Sequence, residues 1–153
     1  MEAMTFKPFK ELKTYGYMLA SLVVFVASQY ILVGLLKVDD TSAQTQTLNV
    51  GGSNEGLVQT ILFFLAVTVV TPIKEEIIYR GILHRFLADR YHFLVGFFVS
   101  SIIFGVFHIG YPISAIIMGM TFVGLYHLTR SLTVPIAIHI IWNLIASSLL
   151  LMN

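Results

Sequence analysis

No cysteine occurs in the 153 residues, which excludes a disulfide framework, a thiolate nucleophile and any Cys-ligated metal. Charge is scarce as well: 11% of residues are Asp, Glu, Lys or Arg, against roughly 25% in an ordinary soluble domain. The net charge is only +1, and no basic stripe with interleaved aromatics exists, so no nucleic-acid partner is expected. The longest polar stretch, residues 37–56, has the length of a loop and leaves no room for a separate soluble domain.

What is abundant is apolar sequence, at 57% of residues and a mean hydropathy of +0.85. Five segments, 14–36, 57–73, 93–109, 113–128 and 132–152, are uncharged and long enough, or nearly so, to cross a hydrocarbon core. The fold class expected is therefore all-α: a polytopic integral membrane bundle of about five transmembrane helices. Residues 1–56 supply an N-terminal transmembrane helix and an extracytoplasmic loop, and 57–153 supply a core. The first apolar run exceeds the roughly 7–15 residues of a signal-peptide core and reads as a retained helix.

Positive charge orients the spans. Lys7, Lys10 and Lys13 precede the first, Arg80, Arg85 and Arg90 follow the second, and Arg130 separates the fourth from the fifth. The 37–56 loop sets Lys37 against Asp39, Asp40 and Glu55 and is rich in Gly and Ser, so it is expected outside and mobile. The N-terminus is then cytoplasmic. Apolar periodicity continues past the second span through Ile77, Ile78, Ile82, Leu83, Phe86 and Leu87, which predicts one helix from Leu57 to near Asp89. Pro72 interrupts it and should strip the Thr68 carbonyl of its helical donor.

Ionisable groups within spans are costly and read by default as functional. Glu76 and Arg80 are four residues apart and can pair on one helix face, while Glu75, rotated by about 100°, is left free. The same spacing puts Phe104 with His108 and His139 with Asn143. All three faces are satisfied together only if they converge. A hairpin turning at Tyr91–His92 brings Glu75 and His108 level, whereas straight helices would leave His139 about a dozen Å from His108 in depth. A carboxylate beside a neutral imidazole in a low-dielectric cavity can take a proton from water, which then attacks a carbonyl. A second histidine and an amide can donate to the resulting oxyanion. That is peptide-bond hydrolysis at a site expected toward the cytoplasmic half. One Glu with two His also matches a catalytic zinc set, but no His-Glu-x-x-His sequence is present, and a metal-free mechanism without cofactor is preferred.

The stretches "EEIIYR" (75–80), "FGVFH" (104–108) and "HIIWN" (139–143), in that order, resemble the motifs Glu-Glu-x-x-x-Arg, Phe-x-x-x-His and His-x-x-x-Asn of the CPBP family of intramembrane proteases. This family, also called Abi, includes CAAX prenyl endopeptidases and bacterial bacteriocin-processing or immunity proteins. The likeness runs from Leu57 to Met152. It implies that Glu75 activates water with His108, that Glu76 and Arg80 support the site, and that His139 and Asn143 form an oxyanion hole. It also implies glutamate-dependent hydrolysis of a peptide or membrane-protein substrate in the lipid bilayer, here the bacterial plasma membrane. CAAX-type members carry more spans than these five, so the short chain fits the bacteriocin-immunity or peptide-processing branch.

Two other functions accommodate the same residues: a catalytically silent immunity or scaffold protein that binds a toxin or receptor, and a small proton-coupled transporter. The absence of paired half-repeats opposes transport. Five helices are few to enclose a cavity, which makes a homodimer an expectation too. His84, His92 and His127 fall at predicted helix ends and read as solvated surface, while Gly96, Gly105, Gly119 and Gly124 read as points of close helix packing. Trp142 reads as a packing or interface aromatic.

Overall fold

The computed structural model describes residues 4–40, 42 and 56–151, with side chains described as far as residue 148. The mobility expected of the 37–56 loop lies outside the described residues over 43–55. Among the described residues there is no strand. A 3-10 turn at Lys7–Lys10 leads into five apolar helices: α1 (Leu12–Leu35), α2 (Leu57–Arg90), α3 (Phe93–Val106), α4 (Pro112–Thr129) and α5 (Thr133–Leu151). Helices α1, α2 and α4 have the length and apolarity to cross a membrane, and α3 and α5 are shorter apolar helices beside them. The chain is an all-α, multi-pass membrane protein.

The core forms where α1, α3, α4 and α5 meet. Phe25, Phe104, Met118, Phe122 and Ile138 are buried there, with Trp142 packed on Phe25 at a centroid distance of 5.4 Å. The outer faces stay apolar and exposed, as at Leu19, Val23, Leu62 and Ile82, which is the pattern of helices solvated by lipid. Small residues set the α3–α4 approach: a Cβ on Gly105 would meet Ile116 and the Pro112 carbonyl, and one on Gly119 would stand 3.1 Å from Ser101 Cα. Gly124 departs from that expectation, with nothing within 4 Å.

Helix α2 has 34 residues and is about 51 Å long, well beyond a hydrocarbon core of about 30 Å, so it tilts or projects past it. It is not uniform. Two π-helical stretches, Ala66–Val70 and Ile77–His84, bracket an α-helical piece, Thr71–Glu76. The N–H of Thr71 donates to the Ala66 carbonyl five residues back, and continuing that register would pair Val67 with residue 72. Pro72 has no N–H. Beside this break Asn143 Nδ2 donates to the Val67 carbonyl at 3.1 Å.

Both ends of the bundle are tied. At one end Asp39, at the foot of α1, accepts from Ile113 N (3.3 Å) and Ser114 N (2.7 Å), capping α4 from another segment. At the other, Ser131 Oγ and Thr133 Oγ1 each donate to the Thr5 carbonyl at 2.6 Å.

Candidate active site

The centre is an ion pair in an apolar shell. Glu76 and Arg80 are both fully buried, and Arg80 Nη1 donates to Glu76 Oε1 at 2.9 Å, as their spacing predicts. Arg80 Nη2 also donates to the Gly119 carbonyl at 3.2 Å. The guanidinium lies 4.4 Å from the Phe104 ring centroid and 4.9 Å from that of Phe122. A desolvated cation is tolerated only when paired, and here a carboxylate, a carbonyl and two ring faces share it.

Around this pair the motif residues converge. Glu75 projects elsewhere on α2 and keeps 18% of its side chain exposed. Its Oε2 lies 3.9 Å from His108 Nε2 and 3.8 Å from His139 Nε2. Both rings have their other nitrogen engaged. His108 Nδ1 is 2.6 Å from the Phe104 carbonyl, which can only accept, so Nδ1 carries the proton. His139 Nδ1 is 2.9 Å from Glu76 Oε1, whose charge is held by Arg80, so it donates as well. In their neutral forms both imidazoles therefore turn an Nε2 lone pair toward Glu75.

The depth gap expected between the two histidines is absent. His108 follows the end of α3, and its ring folds back to lie 4.2 Å from that of Phe104, one turn earlier. Helix α5 packs on the 66–76 part of α2, carrying His139 to the Glu pair. His108 lies at the end of the bundle where Asp39 and Asp40 pack, with Asp40 N donating to the Gly110 carbonyl at 2.6 Å. That end is opposite to Thr5.

Asn143 is the motif residue held apart: its described bond is to Val67, and none joins it to Glu75, His108 or His139. Two neighbours escaped sequence reasoning. Phe122 stacks on His139 at 4.6 Å, with no signal to distinguish it among 12 phenylalanines. Tyr111, 5.5 Å from His108, sits in the turn that closes the site, and only its nearness in sequence hinted at it. Of the three histidines read as solvated, His127 is exposed and His92 caps α3 by accepting from Leu94 N at 3.2 Å. His84 is a correction: it is 4% exposed, enclosed by Phe93 and Tyr126, because the π-helical stretch turns it inward against α3.

The donor spacing bears on metal binding. A zinc ion about 2.0–2.1 Å from two donors 3.8 Å apart would subtend about 140°, against about 109° for a tetrahedron. A water about 2.8 Å from each would subtend about 87°, within hydrogen-bond tolerance. Among the described residues no group of three or more His, Cys, Asp or Glu is arranged to hold a metal ion.

Fold and centre together define a class: a multi-pass helical membrane protein with a carboxylate–imidazole cluster buried between its helices. The family model described as type II CAAX prenyl endopeptidase Rce1-like matches residues 57–145, more than half of the chain, and the chain belongs to that family. Over 84 residues it is 36% identical to the protein named "Putative membrane peptidase YdiL" of Bacillus subtilis (strain 168), across 54% of this chain and 34% of that one. The chain thus covers about a third of that relative's length. No solved structure matches it.

Proposed function

We propose that the protein is an intramembrane endopeptidase that hydrolyses a peptide bond with water activated by Glu75 and His108. The observation that carries this is the position of Glu75 Oε2, nearly equidistant from two imidazole Nε2 atoms at 3.9 and 3.8 Å. Glu75 Oε2 and His108 Nε2, two acceptors facing each other across such a gap, need protons between them, and a water supplies two. One O–H points to Glu75 and the other to His108. Glu75 takes the first proton as the oxygen attacks the substrate carbonyl, and later returns it to the leaving amine.

The oxyanion requires donors. His139, as an imidazolium paired with Glu76, presents Nε2–H, and Asn143 retains one N–H beyond that spent on Val67. Glu76 and Arg80 hold His139 in place. No step requires a metal. The substrate is a peptide or membrane protein reaching the site in the bilayer of a bacterial plasma membrane, with the N-terminus cytoplasmic, in bacteriocin processing or self-immunity.

The test reconstitutes wild type, Glu75→Gln and His108→Ala in lipid at matched levels and reads cleavage of a membrane-peptide library by mass spectrometry, with and without chelator. Cleavage that both substitutions abolish and chelator spares supports the proposal. Loss with chelator makes Glu75, His108 and His139 metal ligands. No cleavage by wild type, with bacteriocin resistance that Glu75→Gln retains, leaves a binding-type immunity protein instead.

A further inference from the structure

Away from the carboxylate–imidazole cluster, a cavity of about 780 Å³ opens at the end of the bundle that holds Thr5. The segment 5–11, residues 84–89 of α2 and residues 126–130 of α4 contribute its walls. None of the motif residues reaches it. The Thr5 carbonyl, anchored by Ser131 and Thr133, holds the N-terminal wall in place.

Its chemistry is mostly cationic. Lys7, Arg85 and Arg130 line it against Glu11 and Asp89. Both acids are engaged: Glu11 with Lys13 at 2.7 Å, Asp89 with Arg85 at 3.6 Å. Arg130 has no acidic partner among the described residues. Its left-handed backbone (φ 54°) ends α4 and sets the side chain at the cavity.

One wall is a buried histidine. His84 is 4% exposed and lines the cavity, with the backbone of Gly96 against its ring. The place is shaped to admit it: a Cβ on Gly96 would come within 2.6 Å of the His84 carbonyl and 3.0 Å of Nδ1. Beside the polar wall the surface turns apolar, with Phe6, Leu12 and Phe86 exposed by 74%, 87% and 61% next to Lys7, Glu11 and Arg85.

We propose that this cavity binds the phosphodiester headgroup of a membrane phospholipid, Arg130 and His84 meeting the phosphate and the exposed apolar rim meeting the acyl chains. Anionic oxygens supply acceptors to a guanidinium and an imidazole N–H, as charge-assisted hydrogen bonds require. A free phosphate would use the same polar wall but leave the apolar rim unexplained. Arginines beside an apolar span are also where anionic lipid collects.

The test uses the full chain, delipidated in maltoside detergent, with thermal unfolding and native mass spectrometry as readouts. Short-chain phosphatidylglycerol, phosphatidylethanolamine, diacylglycerol and glycerol 3-phosphate are compared. Both phospholipids should raise the unfolding midpoint and persist as single-lipid adducts, whereas diacylglycerol should not. Arg130→Asn, which suits the left-handed backbone, should weaken phospholipid binding about tenfold, while Arg130→Lys retains most of it. Glu75→Gln should bind as wild type. Equal protection by glycerol 3-phosphate would make the ligand a soluble phosphate and overturn the lipid assignment. Equal adducts in Arg130→Asn and His84→Gln, or equal protection by diacylglycerol, would remove the site altogether. Should Arg130→Asn fail to fold, His84→Gln carries the same comparison.

Discussion

Glu76 Oε1 accepts two bonds of 2.9 Å, one from Arg80 on its own helix and one from His139, 63 positions away in sequence. A single buried oxygen thus joins the charge of α2 to the orientation of an imidazole on α5. Glu76→Gln leaves a fully buried guanidinium without its counter-charge, a loss of about 3–5 kcal/mol. The double variant Glu76→Gln/Arg80→Met, which removes both charges, should be less destabilised than Glu76→Gln alone. Unfolding midpoints in detergent decide this, and a double variant worse than either single one would refute the account.

Glu75 is placed differently, and its variant should behave differently. With 18% of its side chain exposed and no bond closer than 3.8 Å to either histidine, Glu75→Gln should keep the unfolding midpoint near wild type. Peptide cleavage should fall about 10²–10⁴-fold, as expected for removal of a general base. A Glu75→Gln protein that cleaves at more than a tenth of the wild-type rate would exclude the role.

Much of this was legible where the information is local. The Glu76–Arg80 pair follows from four-residue spacing, and the helices from apolar runs whose ends shift by a few residues. Contacts between distant segments were not legible. Asp39 caps α4 from 75 positions away, and no local signal announces it. The reach of His139 depends on α5 packing against residues 66–76, and the fold-back of His108 on a rotamer, neither of which spacing encodes. Pro72 is legible as a break, but the side chain beside it is not: Asn143 donates to the Val67 carbonyl from 76 positions away. His84 was misplaced for a related reason: Arg85 beside it marks a helix end in sequence, while its neighbours in space are Phe93 and Tyr126.

The Pro72 break makes a second pair testable. Asn143→Ala leaves the Val67 carbonyl without its donor, at a cost of about 1–3 kcal/mol. Pro72→Ala restores an N–H that can take that carbonyl. The double variant should therefore lose less than the sum of the single losses, by about 1 kcal/mol in a cycle of unfolding free energies. Additivity would mean that Asn143 and Pro72 do not share the carbonyl.

Asp39 should matter beyond its own loop. Asp39→Ala removes the acceptor for Ile113 N and Ser114 N, and caps of this kind are worth about 0.5–2 kcal/mol. Amide exchange should quicken at residues 113–116 and stay unchanged at the far end of α4. Protection lost evenly along α4 would show that Asp39 supports the whole helix rather than its first turn.

Gly105 and Gly124 offer a paired control for how closely α3 and α4 must approach. A Cβ at Gly105 meets the Pro112 carbonyl at 2.6 Å and Ile116 N at 2.9 Å, and the backbone there cannot yield without moving the turn that carries His108. Gly105→Ala should cost about 1–3 kcal/mol, typical of overpacking, and lower cleavage more than its stability loss explains, because His108 shifts from Glu75. Gly124 sits in α4 with nothing within 4 Å, so Gly124→Ala should be neutral or stabilise by up to about 1 kcal/mol through helix propensity. Unfolding midpoints and cleavage rates measured side by side separate the two cases. Equal behaviour of both variants would show that the α3–α4 contact tolerates a methyl group and does not position His108.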